Sequence, residues 1–168
     1  MAIKGRLKTK DRIDKWFNIQ DQLCHLCKSD NESHQYLFFA CSYSRRLWER
    51  LKPLACLEDI GNDWPCIISG ISNKTAKNSV WSIIQRFVFG VAVYFTWQER
   101  NIRRMQFIER SLECLFKLVV DTVRLKLMGL SMKYTYDVGK AAGMWNISVC
   151  KRNNDRRLVI DLNSDVSV

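Results

Sequence analysis

Three cysteines and both histidines of the chain fall within eighteen residues, where Cys24-His-Leu-Cys27 is followed by His34 and Cys41. Thiolates and imidazole nitrogens are the donors that a tetrahedral structural zinc ion takes, and a Cys-x2-Cys turn lets two sulfurs reach the same ion. The full spacing, Cys-x2-Cys-x6-His-x6-Cys, is short enough for the chain to close around one ion. These residues therefore predict a Zn2+ site with the ligands Cys24, Cys27, His34 and Cys41.

Two other interpretations of the cysteine cluster remain open. The cysteines can pack in a small core as hydrophobic side chains, or the Cys-x2-Cys pair can act as a dithiol couple, although the expected βαβ context is missing. His25 stands between the paired cysteines and is expected at the surface, pointing away from the ion. A nucleophilic Cys-His pair would need an oxyanion hole and an orienting acid. No motif supplies them, so we expect no catalytic residues and no enzyme activity.

The charge balance indicates which partners the protein binds, and the cysteine count indicates in which cellular compartment it lies. Twenty-seven Lys and Arg residues against seventeen Asp and Glu residues give a formal charge of +10. This charge favours phosphate-rich partners, although it also serves solubility alone. Seven cysteines without a cleavable apolar leader after Met1 predict an intracellular protein, nuclear or cytoplasmic. The four cysteines outside the cluster are expected to be small buried hydrophobic residues: Cys56, Cys66, Cys114 and Cys150.

Short helices are predicted on both sides of the cluster. The first covers about Thr9 to Phe17, with Thr9 as its N-cap. Turn-forming residues at 28–33 predict a loop that folds the chain back toward the first cysteine pair. The second helix is capped by Ser42 or Ser44 and ends at Pro53. Its apolar face consists of Tyr43, Leu47, Trp48 and Leu51.

Two long apolar stripes dominate the second half of the chain. Apolar residues recur every three or four positions from near Val80 to Phe107, and again from a cap at Ser111 to a stop at Gly129. Two such helices joined by a short turn are expected to pack as a hairpin. The longest charge-free stretch of the long apolar segment, Phe87 to Gln98, is shorter than the about 20 residues that span a bilayer, so we expect no membrane contact.

The predicted fold is mainly α, with a small zinc-binding module flanked by short helices and then a long two-helix hairpin. The zinc-binding module occupies residues 1–56, a linker rich in turn formers occupies 57–79, and the helical hairpin occupies 80–130. Residues 131–168 are predicted to be a poorly ordered tail, because the helical period is lost there and the last fifteen residues are expected to fray.

Four pieces of the chain stand in a particular order: Leu7-Lys-Thr-Lys-Asp-Arg-Ile13, Cys24-His-Leu-Cys27, Glu32-Ser-His-Gln-Tyr-Leu-Phe-Phe-Ala-Cys41 and Ser44-Arg-Arg-Leu-Trp48. This order resembles the plant reverse-transcriptase zinc-binding domain, a module that follows the polymerase of LINE-type retroelements, or retrotransposons. Tyr94-Phe-Thr-Trp-Gln-Glu-Arg-Asn101 resembles the helical segment that trails this module, so the likeness reaches about Leu130. The resemblance implies binding of element RNA or target DNA. No Tyr-x-Asp-Asp polymerase motif is present.

The chain departs from the family pattern at one position. The family's histidine stands directly before Leu-Phe-Phe, at His-x4-Cys spacing, where this chain has Tyr36, and tyrosine is a poor zinc ligand. In an extended segment positions 34 and 36 face the same side, so His34 is the expected substitute. The other outcome is a site with three good ligands and weakened metal affinity. An aromatic core would then still support the fold, formed by Trp16, Phe38, Phe39 and Trp48.

Basic residues on both sides of the cluster are the candidate nucleic-acid contacts. The residues assigned to this role are Lys8, Lys10, Arg12, Arg45, Arg46 and Arg50, with Lys4 and Arg6 before them. A second candidate patch consists of Arg100, Arg103 and Arg104. A solvated helix face is the simpler alternative for all of them. A second hypothesis for the whole chain is a metal-free helical domain that self-associates or docks on a protein through Phe87 to Trp97.

Overall fold

The structure is a computed structural model that describes residues 7–17, 20–74, 79–148, 150–153 and 156–159. Its helical elements are, in chain order, α1 (Lys10–Ile13), a π-helical turn (Tyr36–Ala40), α2 (Ser42–Leu51), a 3-10 turn (Pro53–Ala55), α3 (Trp64–Lys74), α4 (Val80–Gln106), α5 (Leu112–Met128) and α6 (Tyr136–Trp145). Two short strands, β1 (Cys150–Asn153) and β2 (Arg156–Val159), pair antiparallel. The predicted mainly α fold class is confirmed.

Helices α4 and α5 form the predicted hairpin, and a serine side chain caps each of them. The Ser79 hydroxyl accepts a hydrogen bond from the Ser82 backbone N–H at 3.2 Å, and the Ser111 hydroxyl accepts one from Cys114 at 3.2 Å. These caps satisfy N–H groups that the first helical turn leaves without partners. Phe107 follows α4 with a left-handed φ of 57°, which turns the chain toward α5. Both helices begin and end within a residue of their predicted bounds.

An aromatic cluster joins the cysteine-bearing segment, residues 20–41, to α3 and α4. The ring centroid of Phe39 lies 5.1 Å from that of Trp48 in α2 and 5.6 Å from that of Trp64 in α3. Phe89 of α4 completes the cluster at 5.7 Å from Trp64. Aromatic pairs at these distances contribute stability beyond the area that they bury. The predicted small aromatic core is therefore larger than expected, because α3 and α4 supply two of its rings.

Helix α1 is shorter than predicted. It covers Lys10–Ile13, and the backbone N–H groups of Trp16 and Phe17 make their hydrogen bonds to the Ile13 carbonyl at 2.9 and 3.0 Å. Beyond that point the side chains of Trp16 and Phe17 are 83 % and 71 % exposed. The prediction that Trp16 belongs to the aromatic core is wrong, because the helix that would have carried it there ends too early.

Buried charged groups fasten the cysteine-bearing segment to α4. The Arg100 guanidinium lies 2.5 Å from Glu32 Oε1, and the two side chains are only 1 % and 0 % exposed. Glu32 also accepts the backbone N–H of Lys10 at 3.0 Å, so one carboxylate ties α1 and α4 together. One turn further along α4, Arg103 donates to the Leu26 carbonyl at 2.9 Å. These contacts make α4 a direct support of the cysteine cluster.

The structure differs from the predicted linker, because helix α3 lies within it. The Asp63 carboxylate accepts the Cys66 backbone N–H at 2.9 Å and so caps the helix, which gives a turn-forming residue a helical role. Ile67 is buried in the core. A Cβ atom on Gly70 would lie 2.5 Å from Ile60 Cδ1, so the Ile60 side chain would have to shift to accept a larger residue there. Residues 75–78 of the linker lie outside the described residues.

The predicted tail also contains a packed element, helix α6. Its Trp145 is 1 % exposed, and the indole Nε1–H donates to the Leu54 carbonyl at 3.0 Å. Arg124 of α5 donates to the Trp145 carbonyl at 2.9 Å. The buried face includes Ala141 and Ala142, whose small side chains give a weak hydrophobic period. The expected fraying of the last fifteen residues falls mostly on positions outside the described part of the chain.

In the described part of the chain, one helix, α4, is long and apolar enough to cross a membrane by length and composition. In its most apolar 18-residue window, 56 % of the residues are buried inside the molecule. A core helix meets the same criterion, so the finding is weak evidence for a span. The absence of membrane contact stays a prediction.

Replacing Arg100 by Met should destabilise the protein strongly. The substitution leaves the buried Glu32 carboxylate without its partner, and breaking a buried pair in this way costs about 3–5 kcal/mol. Arg50→Met is the matched control, because Arg50 pairs with Glu113 at 2.6 Å on the surface, where solvent weakens the attraction. Urea unfolding followed by circular dichroism measures both variants. An unfolding midpoint for Arg100→Met no lower than that for Arg50→Met would contradict the supporting role of the buried pair.

Candidate metal centre

A tight turn brings Cys24 and Cys27 together. The Cys24 carbonyl accepts the Lys28 backbone N–H at 2.9 Å, which closes the turn around the Cys-x2-Cys pair. Leu23 and Asn31 form an antiparallel bridge at the base of this loop. The predicted loop is therefore a short hairpin-like structure that presents two cysteine sulfurs from neighbouring positions.

The third sulfur is positioned by the π-helical turn and by α2. The Cys41 backbone N–H donates to the Tyr36 carbonyl at 2.7 Å, which is the five-residue hydrogen bond of a π-helix. Cys41 is then the N-cap of α2, so its sulfur lies near the positive end of the helix dipole. As a result, the sulfurs of Cys24, Cys27 and Cys41 all lie within 4.8 Å of one another.

The spacing of these sulfurs fits a tetrahedral zinc ion. With Zn–S bonds near 2.3 Å, two ligand sulfurs are about 3.8 Å apart, and Cys24 Sγ lies 3.9 Å from Cys41 Sγ. Cys24 and Cys41 are fully buried, whereas Cys27 is half-buried. Thiolates are soft donors that suit zinc and do not suit magnesium or calcium. Within the described residues, this is the one such group of three or more potential metal ligands.

The thiols of the cluster are electrostatically unequal. The Cys24 thiol donates a hydrogen bond to Cys41 Sγ, and this bond lowers the pKa of Cys41, as do the backbone N–H groups of Ser44 and Tyr43. The same hydrogen bond, together with burial, raises the pKa of Cys24. Cys41 therefore ionises before Cys24. Full ligation of a metal requires every thiol to lose its proton, so metal binding and proton release are coupled.

His34 lies in the aromatic cluster and not beside the sulfurs. Its ring centroid is 4.5 Å from that of Trp64 and 5.0 Å from that of Phe38, both in edge-to-face geometry. The segment from 34 to 40 is helical, so positions 34 and 36 point to different sides. This corrects the expectation that an extended segment places both residues on one side. The structure brings three of the four predicted ligands together, and the ligand role of His34 stays a prediction.

Tyr36 occupies the side of the π-helical turn that faces the sulfurs. Its hydroxyl oxygen lies 3.2 Å from Cys27 Sγ. The hydrogen bond between these groups raises the pKa of the Tyr36 hydroxyl above its usual value, and burial acts in the same direction. A bound divalent cation would act in the opposite direction, because it favours the deprotonated oxygen. The sequence indicated that position 36 faces the metal site, because the family's histidine also stands directly before Leu-Phe-Phe.

His25 is half-buried, whereas the sequence placed it at the surface. Its Nδ1 lies 3.5 Å from Lys28 Nζ. Burial, with a contribution from the nearby Lys10 charge, lowers the pKa of His25 to about 4, so the imidazole is neutral at neutral pH. His25 does not belong to the sulfur group, as expected from its place between the paired cysteines.

The cysteines outside the cluster are less buried than predicted. Cys66 and Cys114 are exposed and Cys56 is half-buried. The prediction of buried hydrophobic residues is wrong for Cys66 and Cys114, because each lies in the first turn of a helix on the face away from the core. The side chain of Cys150 lies outside the described residues.

Two of the predicted nucleic-acid contacts form ion pairs within the protein, and the other four form none with the described residues. Lys10 is buried, and its Nζ donates to the Leu23 carbonyl at 2.6 Å. Arg50 is held by Glu113 and lies over the Phe116 ring at 4.0 Å. The other four are exposed and pair with no carboxylate of the described part: Lys8, Arg12, Arg45 and Arg46. Lys4 and Arg6 lie outside the described residues.

The second basic patch predicted on α4 is also divided. Arg100 and Arg103 are buried and bound to the cysteine-bearing segment, so the prediction of a basic surface is wrong for both. Arg104 is exposed. Helical periodicity could not separate them, because it does not show that Glu32 lies opposite Arg100. Glu32 is the residue that sequence reasoning missed, although it begins the third quoted motif.

Comparison with known proteins identifies the segment that carries the metal centre. Residues 1–48 match the family model described as zinc-binding in reverse transcriptase. No curated protein and no solved structure matches the chain significantly. The match includes all three converging cysteines and ends inside α2, so the predicted continuation of the likeness to about Leu130 lies beyond it. The resemblance to the reverse-transcriptase zinc-binding domain family is therefore confirmed over residues 1–48.

Proposed function

We propose that the protein is a non-catalytic zinc-binding module that contacts nucleic acid inside the cell. The observation that carries the proposal is the convergence of three sulfurs within 4.8 Å inside a segment that matches a zinc-binding family. Cysteine-rich ligand sets are typical of structural zinc, which stabilises a fold and does not activate water. A reducing compartment keeps these thiols free for metal, which supports an intracellular location.

A zinc ion at this position would connect two separate pieces of the chain. Cys24 and Cys27 lie on the tight turn, and Cys41 lies at the junction of the π-helical turn and α2. When bound, the ion supplies folding free energy, because an unfolded chain does not hold these sulfurs together. The residues of the protein do the positioning: Arg103 holds the Leu26 carbonyl between the paired cysteines at 2.9 Å.

Purified protein should contain about one zinc ion per chain. Cys27→Ser should lose most of this zinc, because it removes one of the three converging sulfurs. Cys114→Ser is the matched control, since Cys114 is exposed on α5 and lies outside the cluster. Elemental analysis after dialysis against metal-free buffer measures the zinc content. Wild-type protein that folds without zinc, or equal zinc content in both variants, would contradict a zinc site at the cysteine cluster.

The exposed basic residues support nucleic acid as the partner. Arg45 and Arg46 lie on α2, directly after Cys41, and neither pairs with a carboxylate of the described residues. Arg45 lines a cleft of about 500 Å3 together with Tyr36, whose hydroxyl oxygen lies 3.2 Å from Cys27 Sγ, and Asp63 lines the same cleft. Free arginines beside a rigid metal-stabilised turn can bind phosphates with little loss of order. The formal charge of +10 acts in the same direction over a longer range.

The double variant Arg45→Gln/Arg46→Gln should weaken binding to single-stranded RNA. Each lost phosphate contact reduces the slope of log K against log salt concentration by about 0.7, so two lost contacts reduce it by about 1.4. Arg86→Gln/Lys117→Gln is the control, because it removes the same charge from exposed positions on α4 and α5 that belong to neither candidate patch. Fluorescence anisotropy across a salt series measures both slopes. Equal losses in the two variants would show that only net charge matters, and no measurable RNA binding by wild type would reject the partner.

A metal-free helical interaction domain is the second candidate, and one surface favours it. A groove of about 420 Å3 lies between α4 and α5, lined by Phe87, Gly90, Tyr94 and Phe95 among others. Tyr94 is 60 % exposed there. Folded protein that holds no zinc, does not bind RNA and dimerises in solution would favour this candidate over the first.

A further inference from the structure

We propose that the phenol oxygen of Tyr36 is the fourth zinc ligand, in place of a histidine nitrogen. The proposal rests on the zinc-binding function proposed above and specifies its ligand set as three cysteines and one tyrosine. The sequence suggested the opposite for position 36, because tyrosine there was interpreted as the loss of a ligand.

The first support is the position of the oxygen. Tyr36 Oη lies 3.2 Å from Cys27 Sγ. In a tetrahedral site with bonds near 2.3 Å to sulfur and 2.0 Å to oxygen, the two donors are about 3.5 Å apart. The oxygen is therefore within a few tenths of an ångström of the separation that ligation needs.

The second support is the π-helical turn. Its hydrogen bond from the Cys41 N–H to the Tyr36 carbonyl, at 2.7 Å, widens the turn by one residue compared with an α-helix. Positions 36 and 41 thereby come to the same side of the turn, and both side chains reach the cluster. π-Helical turns are frequently found at functional sites. The backbone is thus shaped to present residue 36 to the metal.

The third support is that His34 packs among aromatic rings and not beside the sulfurs. The imidazole lies between Trp64 and Phe38, with ring centroids 4.5 and 5.0 Å away. Two positions along a helix differ by about 200° in direction, so His34 points away from the side that Tyr36 occupies. To ligate zinc, His34 would have to leave both aromatic contacts and the helical segment would have to unwind.

Ligation by Tyr36 has a definite charge balance. The oxygen lone pair forms the bond to zinc, and the hydroxyl proton passes to solvent, as do the thiol protons of the cysteines. Four anionic donors around a divalent ion leave two negative charges, one more than three cysteines and a histidine would leave. Arg45 and Asp63 both line the cleft that Tyr36 lines, one with each sign of charge.

Cobalt(II) titration of the full chain tests the ligand. Cobalt replaces zinc in such sites and reports thiolate ligation through intense charge-transfer absorption. Tyr36→Phe keeps the ring and removes only the oxygen, so cobalt affinity should fall at least tenfold, since even groups beyond the ligands change affinity by about 10–100-fold. His34→Phe is the matched control: it removes both ring nitrogens but keeps an aromatic ring beside Trp64 and Phe38, so the affinity should stay within about twofold. Tyr36→His should restore tight binding.

A second measurement uses wild-type protein alone, so its result does not depend on whether a variant folds. Metal addition to wild-type protein should produce the near-ultraviolet difference absorption of a tyrosine that has lost its proton. No such signal, or an unchanged affinity in Tyr36→Phe, would overturn the proposal while cobalt–thiolate absorption still supported the metal site. A loss confined to His34→Phe would assign the position to His34. Wild-type protein without any cobalt–thiolate absorption would reject the zinc-binding function itself, and this inference with it.

Discussion

The buried Glu32–Arg100 ion pair is the interaction on which the rest of the structure depends. Its two side chains are 0 % and 1 % exposed, and they come from the cysteine-bearing segment and from α4. Burying two charges is costly unless each finds a close partner, so loss of either side chain would leave an unpaired buried charge. Glu32 also holds the start of α1 through the Lys10 N–H. One carboxylate therefore contacts both α1 and α4, beside the cysteine cluster.

The packed unit around the cysteine cluster extends beyond the segment that matches the family model. The family match ends at residue 48, yet Arg100 and Arg103, which hold Glu32 and the Leu26 carbonyl, lie on α4. The aromatic cluster likewise takes Trp64 from α3 and Phe89 from α4. In this chain the cysteine-bearing segment is one part of a larger packed unit. Helices outside the match thus influence the metal centre through its backbone.

The cysteine cluster depends on a local departure from regular helix. A π-helical turn between Tyr36 and Cys41 places both side chains toward the cysteine pair and leaves His34 among aromatic rings. The ligand pattern in the sequence predicted the three cysteines, because their spacing alone brings the sulfurs within reach of one ion. It could not predict the direction of His34, which depends on whether the backbone is extended or helical.

By itself, the sequence determined the helical fold class, the bounds of α4 and α5 and the cysteine group, because neighbouring residues carry caps, periods and ligand spacing. Only the tertiary structure decided that Trp16 is exposed, that α6 packs through Trp145, and that some arginines are internal. These outcomes depend on partners distant in the chain. Glu32 and Arg100 are 68 positions apart, and no local pattern reports that two such residues will share a buried site.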